Sequence, residues 1–190
     1  PEREKIYRVI ETFRFATVIS RTEDDVIITQ IPLILDRTKS KKGTLIGHID
    51  KNNPHANYLS HKKISVIFHG PNTYISPTVY ESAQFPTWNS ISVHIKGIVN
   101  ITESVDEVRD SIIKMTSLLE QGETPYVLDS DNEKMTGWLK QIVGFNIEIT
   151  ELVGRFKLSQ DKSPRDTALA KQQLIQNNTI SHENIINFVI

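Results

Sequence analysis

The sequence predicts a mainly β protein of the α+β class. We expect a small, partly closed antiparallel β-barrel, with peripheral helices at the N-terminus, in an insertion and at the C-terminus. Six or seven segments rich in β-branched and apolar residues follow one another, and most are separated only by short turns. Helical periodicity occurs in too few places to alternate with these strands as a doubly wound parallel sheet requires.

The start of the chain predicts one helix and one hairpin. Apolar residues recur with helical spacing over residues 6–13, which predicts an N-terminal helix. The segments 15–20 and 26–35 are β-branched and apolar on both faces, and the turn sequence RTEDD separates them. We expect these two segments to form a hairpin of well-buried strands.

Two further strands are predicted at 42–49 and 64–70, with a short helix at 53–61 between them. Asn53 can cap this helix with its side chain. Pro54 suits the first helical position, because the N–H that proline lacks would have no partner there.

The clearest strand is predicted at 91–101, where apolar and polar residues alternate. Gly97 within it indicates a bulge or the close approach of another backbone. Capping boxes that begin at Ser104 and Ser130 predict two helices, over 104–121 and 130–143.

The last third of the chain predicts one more strand and two helices. The alternation of strand 145–159 changes phase at Leu152, which indicates a bulge or a change of packing surface. Helices are predicted to begin at Ser163 and at Ser181.

The expected organisation is a barrel domain over residues 1–160 with a helical insertion at about 103–144. A helical extension, 161–190, is expected to pack on the same domain. An open barrel leaves strand edges and apolar faces exposed, and dimerisation is a common way to cover them. We therefore expect a homodimer.

Composition excludes several classes of function. The chain has 22 Lys and Arg against 23 Asp and Glu, so no excess of positive charge is available for a nucleic-acid backbone. It has no cysteine, which excludes disulfides, thiolate nucleophiles and cysteine zinc sites. No apolar run approaches the roughly 18 residues of a membrane span, and no signal-peptide core is present. A cytoplasmic protein without a membrane partner is expected.

No motif identifies a catalytic centre. The six histidines lack metal-site spacing, so no metal is expected. Neither GxSxG, a Walker A loop nor GxGxxG occurs, and no catalytic residue can be assigned.

The stretch 73–90 is unusually rich in proline and aromatic residues for a connection between strands. Prolines fix backbone angles, and rigid aromatic side chains offer flat surfaces to a flat ligand. The alternative is that the aromatic residues simply fill a core or an interface: Tyr74, Tyr80, Phe85 and Trp88.

Four segments, in order and at compatible distances, resemble the signatures of the FMN-binding negative transcriptional regulators of the PaiB type. They are GHIDKNNP (47–54), FHGPNTYISPTVY (68–80), FPTWNSISVHIKG (85–97) and FKLSQ (156–160). The resemblance covers nearly the whole chain. It implies an FMN-binding split β-barrel with the flavin in a cleft at a homodimer interface.

The resemblance also implies the cofactor-binding residues. The flat contact and the hydrogen bonds to the flavin ring would come from Tyr74, Ser76, Thr87, Trp88 and Asn89. Lys51 or Lys157, helped by hydroxyls such as that of Ser159, would hold the phosphate. The full implied set is His48, Lys51, Asn53, Tyr74, Ser76, Thr87, Trp88, Asn89, Lys157, Ser159 and Gln160.

The chain departs from the family pattern in three places. Asp50 and Lys51 stand where the family usually has Ala-Arg, and lysine lacks the bidentate fork that suits phosphate. Val79 replaces a tryptophan, and Ser90 replaces an aromatic residue. One alternative is therefore a split-barrel homologue that has lost tight flavin binding.

Other functions remain open. The protein could be a flavin-dependent oxidoreductase, of the flavin reductase or pyridoxamine-phosphate-oxidase kind, because the flavin itself carries the redox chemistry. It could be a transcriptional regulator, with DNA as a partner by family resemblance only. The two predicted helices are too far apart for a helix-turn-helix. A third possibility is haem binding through one histidine in a related split barrel.

Overall fold

The computed structural model describes residues 2–60, 62–120 and 122–178. Within these residues the chain forms seven β-strands and four α-helices. The strands are β1 (Phe15–Arg21), β2 (Val26–Pro32), β3 (Ile34–Asp36), β4 (Thr44–Asp50), β5 (Lys63–Ile75), β6 (Thr87–Thr102) and β7 (Ile142–Lys157). The helices are α1 (Glu2–Thr12), α2 (Val105–Leu119), α3 (Met135–Leu139) and α4 (Pro164–Gln176). The helix predicted from Ser181 lies outside the described residues.

All seven strands belong to one sheet, in the order β2-β1-β5-β6-β7-β4-β3. The two edge strands, β2 and β3, are separated in sequence by Leu33 alone. The two edges of the sheet therefore lie next to each other without a hydrogen-bonded ladder between them, which is how an open barrel differs from a closed one. The predicted mainly β, split-barrel architecture with peripheral helices is confirmed.

The chain divides into two compact units. The first comprises Pro1–Phe13, Ile67–His94 and Val153–Ile190, and the second comprises Arg14–Val66 and Ile95–Leu152. Each unit contains a part of each of the strands β5, β6 and β7.

In the first unit, α1 lies directly against β7. A Cβ atom at Gly154 would be 2.6 Å from Cγ1 of Ile6, so only glycine allows this approach. Helix α4 begins at Ser163 as predicted, because the Ser163 hydroxyl accepts a hydrogen bond from the Asp166 N–H at 3.1 Å. Ala170 of α4 then packs against Ile75 and Tyr80.

In the second unit, β4 pairs with β7 in antiparallel register, and His48 is opposite Gly144. The close approach predicted at Gly97 is confirmed, since a Cβ atom there would be 2.4 Å from Cγ2 of Ile147. The predicted caps at Ser104 and Asn53 are also confirmed, the latter on a 3-10 turn at Pro54–Tyr58.

The helix predicted over 130–143 exists, but its predicted length and its cap are wrong. Only the five residues of α3 are helical, and the hydroxyl of Ser130 bonds to the neighbouring carboxylates of Asp129 and Asp131 and does not cap the helix. Short polar side chains that bond locally in this way offer the backbone an alternative to a helix. Ile142, assigned to that helix, begins β7.

The prediction that segments 15–20 and 26–35 form a hairpin of well-buried strands is also wrong in part. β2 is a sheet edge, and Val26 and Ile28 are 53% and 58% exposed. The segment 26–35 breaks at Leu33, where the chain passes from one edge of the sheet to the other. The phase change in β7 is confirmed, because residues 150 and 151 are both exposed between two alternating runs.

Candidate functional site

The candidate site is one exposed face of the first unit, built on β5, β6 and β7. Along β6, Asn89, Ile91 and Val93 are buried, and the side chains between them point away from the core. The side chains on that outer face are Trp88, Ser90, Ser92 and His94. Because β5 runs to Ile75 and β6 begins at Thr87, most of this face lies on regular strands.

An aromatic pair occupies one end of this face. The rings of Tyr74 and Trp88 lie 6.3 Å apart between centroids, tilted by 57°, and are 48% and 53% exposed. The indole Nε1 of Trp88 donates a hydrogen bond to Oδ1 of Asn72 at 3.1 Å, which fixes the ring. Of the four aromatic residues in the stretch 73–90, only Tyr80 is a buried core residue, and Phe85 is 88% exposed.

A buried polar network lies directly behind Trp88. The Ser159 hydroxyl donates to Oδ1 of Asn89 at 3.1 Å, and Tyr80 contacts the same hydroxyl at 3.0 Å. Because Ser159 has a single proton, Tyr80 is the donor in the second bond. Nδ2 of Asn89 is buried and has no hydrogen-bond partner among the described residues. Ser159 itself adopts a left-handed backbone with φ of 59°.

The loop that precedes β6 is tied to α4. The Asp166 carboxylate accepts a hydrogen bond from the Glu81 N–H at 2.7 Å and one from the Ser82 hydroxyl. The bond from Ser82 is the largest cause that holds the pKa of Asp166 below its ordinary value. Arg165 also pairs with Glu81 at 2.8 Å. These contacts position the loop between Tyr74 and Trp88.

Two of the implied cofactor residues in the first unit, Ser76 and Gln160, bond to the backbone. The Ser76 hydroxyl caps the 3-10 turn Pro77–Val79. The side chain of Gln160 accepts a hydrogen bond from the Leu158 N–H at 2.6 Å. Thr87 is half-buried at the first position of β6, and Lys157 is exposed at the last position of β7.

Basic side chains lie further along the same three strands. His69 lies on β5, His94 on β6 and Arg155 on β7, which are neighbours in the sheet. Oγ of Ser92 lies 3.3 Å from Nε2 of His94. Burial, and then the positive charges of Arg155 and His69, hold the pKa of His94 below its ordinary value.

The second unit holds the other three implied residues. Nδ1 of His48 is buried without a hydrogen-bond partner in the described part of the chain, and burial lowers the pKa of this imidazole. Nζ of Lys51 donates to the Lys140 carbonyl at 2.6 Å, and Lys51 lines a cavity of about 230 Å³. Oδ1 of Asn53 accepts from the His55 N–H at 2.9 Å.

The structure thus brings together Tyr74 with Trp88 and Asn89 with Ser159. Sequence reasoning missed the basic residues of the same face. Alternation along 91–101 already placed His94 opposite the core, but nothing in the sequence shows that β5 and β7 flank it.

The features of this face fit a flavin. A half-exposed aromatic pair suits a flat ring system, and nearby cations suit a phosphate. Among the described residues no group of three or more His, Asp or Glu side chains could hold a metal ion. No helix in the described ranges has the length and apolar character needed to cross a membrane.

Comparison with known proteins identifies similar chains. A family model described as "Putative FMN-binding domain" matches residues 1–151. "Protease synthase and sporulation protein PAI 2" of Bacillus subtilis is 28% identical over 173 residues, which is 90% of this chain and 83% of that protein.

Two solved structures share the fold. The FAD and heme binding protein from Mycobacterium smegmatis has a TM-score of 0.64 and 16% identity, over 87% of this chain and 77% of that chain. The flavocytochrome Anf3 from Azotobacter vinelandii has a TM-score of 0.60 and 13% identity, over 87% and 72%. At these identities the likeness concerns the fold alone.

Proposed function

The chain belongs to the FMN-binding domain family whose model matches residues 1–151, and from that membership we propose that it binds FMN on the exposed face of its first unit. The observation that carries the proposal is the aromatic pair of Tyr74 and Trp88. Both rings sit on regular strands, and the indole is held by Asn72, yet about half of each side chain remains exposed. Exposed rings that are held rigidly lose little conformational entropy when a flat ligand binds.

In this proposal Trp88 and Tyr74 contact the isoalloxazine ring. The side chain of Asn89 lies on the core side of β6, so Asn89 would support the strand behind Trp88. Tyr80 and Ser159 orient the Asn89 amide through their shared hydrogen bonds. When bound, the flavin supplies electron-transfer chemistry that side chains lack.

The remaining implied residues stay in the proposal in two roles. Ser76, Thr87 and Gln160 would shape the backbone around the ring and ribityl chain, with Lys157 near the phosphate. In the second unit His48, Lys51 and Asn53 remain cofactor residues that the family resemblance implies, and Lys51 would have to give up its bond to the Lys140 carbonyl to reach a phosphate.

We also propose that the flavin lies at a homodimer interface. The exposed aromatic residues of the first unit, Phe85 above all, support a partner surface, since large exposed apolar side chains mark interaction sites. A second copy of the chain is the partner that the family resemblance implies.

Two roles are compatible with flavin binding: an oxidoreductase and a regulator of transcription. The regulator rests on the family resemblance, and DNA would be its partner. α3 has only five residues, so α2 and α3 do not make a helix-turn-helix. The oxidoreductase needs no protein nucleophile, because the redox chemistry belongs to the flavin.

The visible absorption spectrum tests flavin binding. Purified protein is mixed with excess FMN, passed through a desalting column and scanned. We expect flavin absorption to elute with the protein in a ratio near one per chain. The variant Trp88→Ala, treated identically, should retain much less. Elution of all the flavin behind the wild-type protein would contradict the proposal.

A further inference from the structure

The basic side chains on the exposed face of the first unit form a compact cluster. His69, His94 and Arg155 occupy three strands that are neighbours in the sheet. A Cβ atom at Gly70 would be 3.1 Å from the Cβ of Ile91, which places His69 of β5 near Ser92 of β6. His69 and Arg155 are both close enough to His94 for their charges to act on it.

The guanidinium of Arg155 is exposed, and among the described residues it makes no side-chain hydrogen bond or ion pair. Three acidic groups of the same unit are engaged elsewhere: Asp161 with Lys162, Glu81 with Arg165, and Asp166 with the loop before β6. The charge on Arg155 instead acts on His94 and opposes its protonation.

We propose that His69, His94 and Arg155 bind a phosphate monoester, with Arg155 as the bidentate donor. A guanidinium presents parallel N–H donors that match two phosphate oxygens, and the N–H groups of neutral imidazole rings add hydrogen bonds. The hydroxyl of Ser92, 3.3 Å from His94, supplies a further neutral donor on the same face.

The position of the cluster relative to Trp88 indicates which phosphate monoester binds there. His94 lies on the same face of β6 as Trp88, three outward-facing positions further along the strand. A ligand with an aromatic ring at one end and a phosphate at the other would span both. This step rests on the proposed function, and the phosphate is that of FMN.

Paired ligands test the assignment. Dissociation constants for FMN and for riboflavin, which lacks the phosphate, are measured with the full chain and with Arg155→Gln and His94→Gln. We expect FMN affinity to fall about tenfold or more in Arg155→Gln, as for the loss of a charged hydrogen bond, and less in His94→Gln. Riboflavin affinity should stay within about twofold, because the ring contacts remain. Arg165→Gln removes an arginine that pairs with Glu81 and is the matched control, with no expected effect on either ligand.

Inorganic phosphate distinguishes the two sources of the anion. We expect phosphate to compete with FMN and not with riboflavin, and to shift the imidazole NMR signals of His69 and His94 in wild-type protein but not in Arg155→Gln. Equal weakening of FMN and riboflavin would overturn the assignment while leaving flavin binding intact. If neither flavin binds, the proposed function fails, and a phosphate shift that depends on Arg155 still supports the anion site. If phosphate does not shift the imidazole signals of the wild-type protein, the anion site is overturned.

Discussion

Trp88 and Tyr80 are close in sequence but have different roles in the structure. Tyr80 is 8% exposed, packs against Ile75 and Ala170, and bonds to Ser159. Trp88 is 53% exposed and contacts Asn72 and Tyr74 at the surface. An aromatic residue of the first kind stabilises the fold, whereas one of the second kind is available to a ligand.

Replacement of Trp88 by alanine should therefore cost little stability. Because about half of the side chain is already in water, we expect a loss of no more than about 1.5 kcal/mol in free energy of unfolding. Phe68→Ala, at a fully buried position of the same unit, should cost roughly 3–5 kcal/mol. Urea denaturation of both variants measures the difference. A loss from Trp88→Ala as large as that from Phe68→Ala would mean that Trp88 is a core residue.

His55 is a second residue whose role is structural. It is fully buried, with Nδ1 at 2.9 Å from the Thr29 hydroxyl and Nε2 at 2.8 Å from the Ser20 hydroxyl. Burial lowers its pKa from the ordinary value of 6.5. The folded chain thus favours neutral imidazole, and the unfolded chain binds the proton more readily.

Stability should consequently fall in acid. A histidine with a depressed folded pKa contributes stability above the unfolded value of 6.5, and this contribution is lost as the pH falls from there through the folded pKa. We expect the urea midpoint to drop between pH 7.5 and 5.5, and to drop less in His55→Gln, which keeps polar groups but does not titrate. An equal drop of the urea midpoint in both proteins would mean that groups other than His55 cause the loss of stability. The pKa values of His48 and His94 are lowered in the same way.

At the scale of elements, the sequence predicted strands and caps well where the pattern is local. The alternation of β6 and the caps at Ser104 and Ser163 depend on neighbours in sequence, so they can be read directly. The capping box at Ser130 failed because turn-forming side chains beside it compete for the same bonds.

Features that depend on contacts between distant segments could not be predicted from the sequence. β2 has the composition of a central strand, but its place at the sheet edge is a matter of topology. Of the candidate site, the aromatic residues were predicted from composition. The alignment of His69 and Arg155 beside His94 was not, because it depends on strand order.

Gly97 offers a direct test of element packing. A methyl group there would lie 2.7 Å from the backbone oxygen of Glu148, which cannot move aside as a side chain could. We expect Gly97→Ala to destabilise the protein by roughly 1–3 kcal/mol. At Gly137 in α3 a Cβ atom would meet nothing within 4 Å, so Gly137→Ala should be neutral or stabilising by up to about 1 kcal/mol. Thermal unfolding measures both. Equal effects would contradict the close approach of β6 and β7.

At the scale of the whole molecule, the proposed homodimer predicts a mass of about twice 21.7 kDa in size-exclusion chromatography with light scattering. Phe85 is 88% exposed in the first unit, so Phe85→Asp should shift the mass toward the monomer by placing a charge in the interface. Val127→Asp, at a 79% exposed position of the second unit, is the matched control. A monomer mass for the wild-type chain at micromolar concentration would rule out the dimer.

The central claim, that FMN binds against the exposed aromatic pair, is tested most directly by the emission of Trp88. Trp138 is the only other tryptophan in the chain, and it is 45% exposed on α3, so Trp138→Phe leaves a folded protein with one indole reporter. FMN is titrated into this variant while flavin absorption confirms saturation. The account predicts that Trp88 emission is strongly quenched as FMN binds. Emission that stays unquenched at saturating FMN would contradict it.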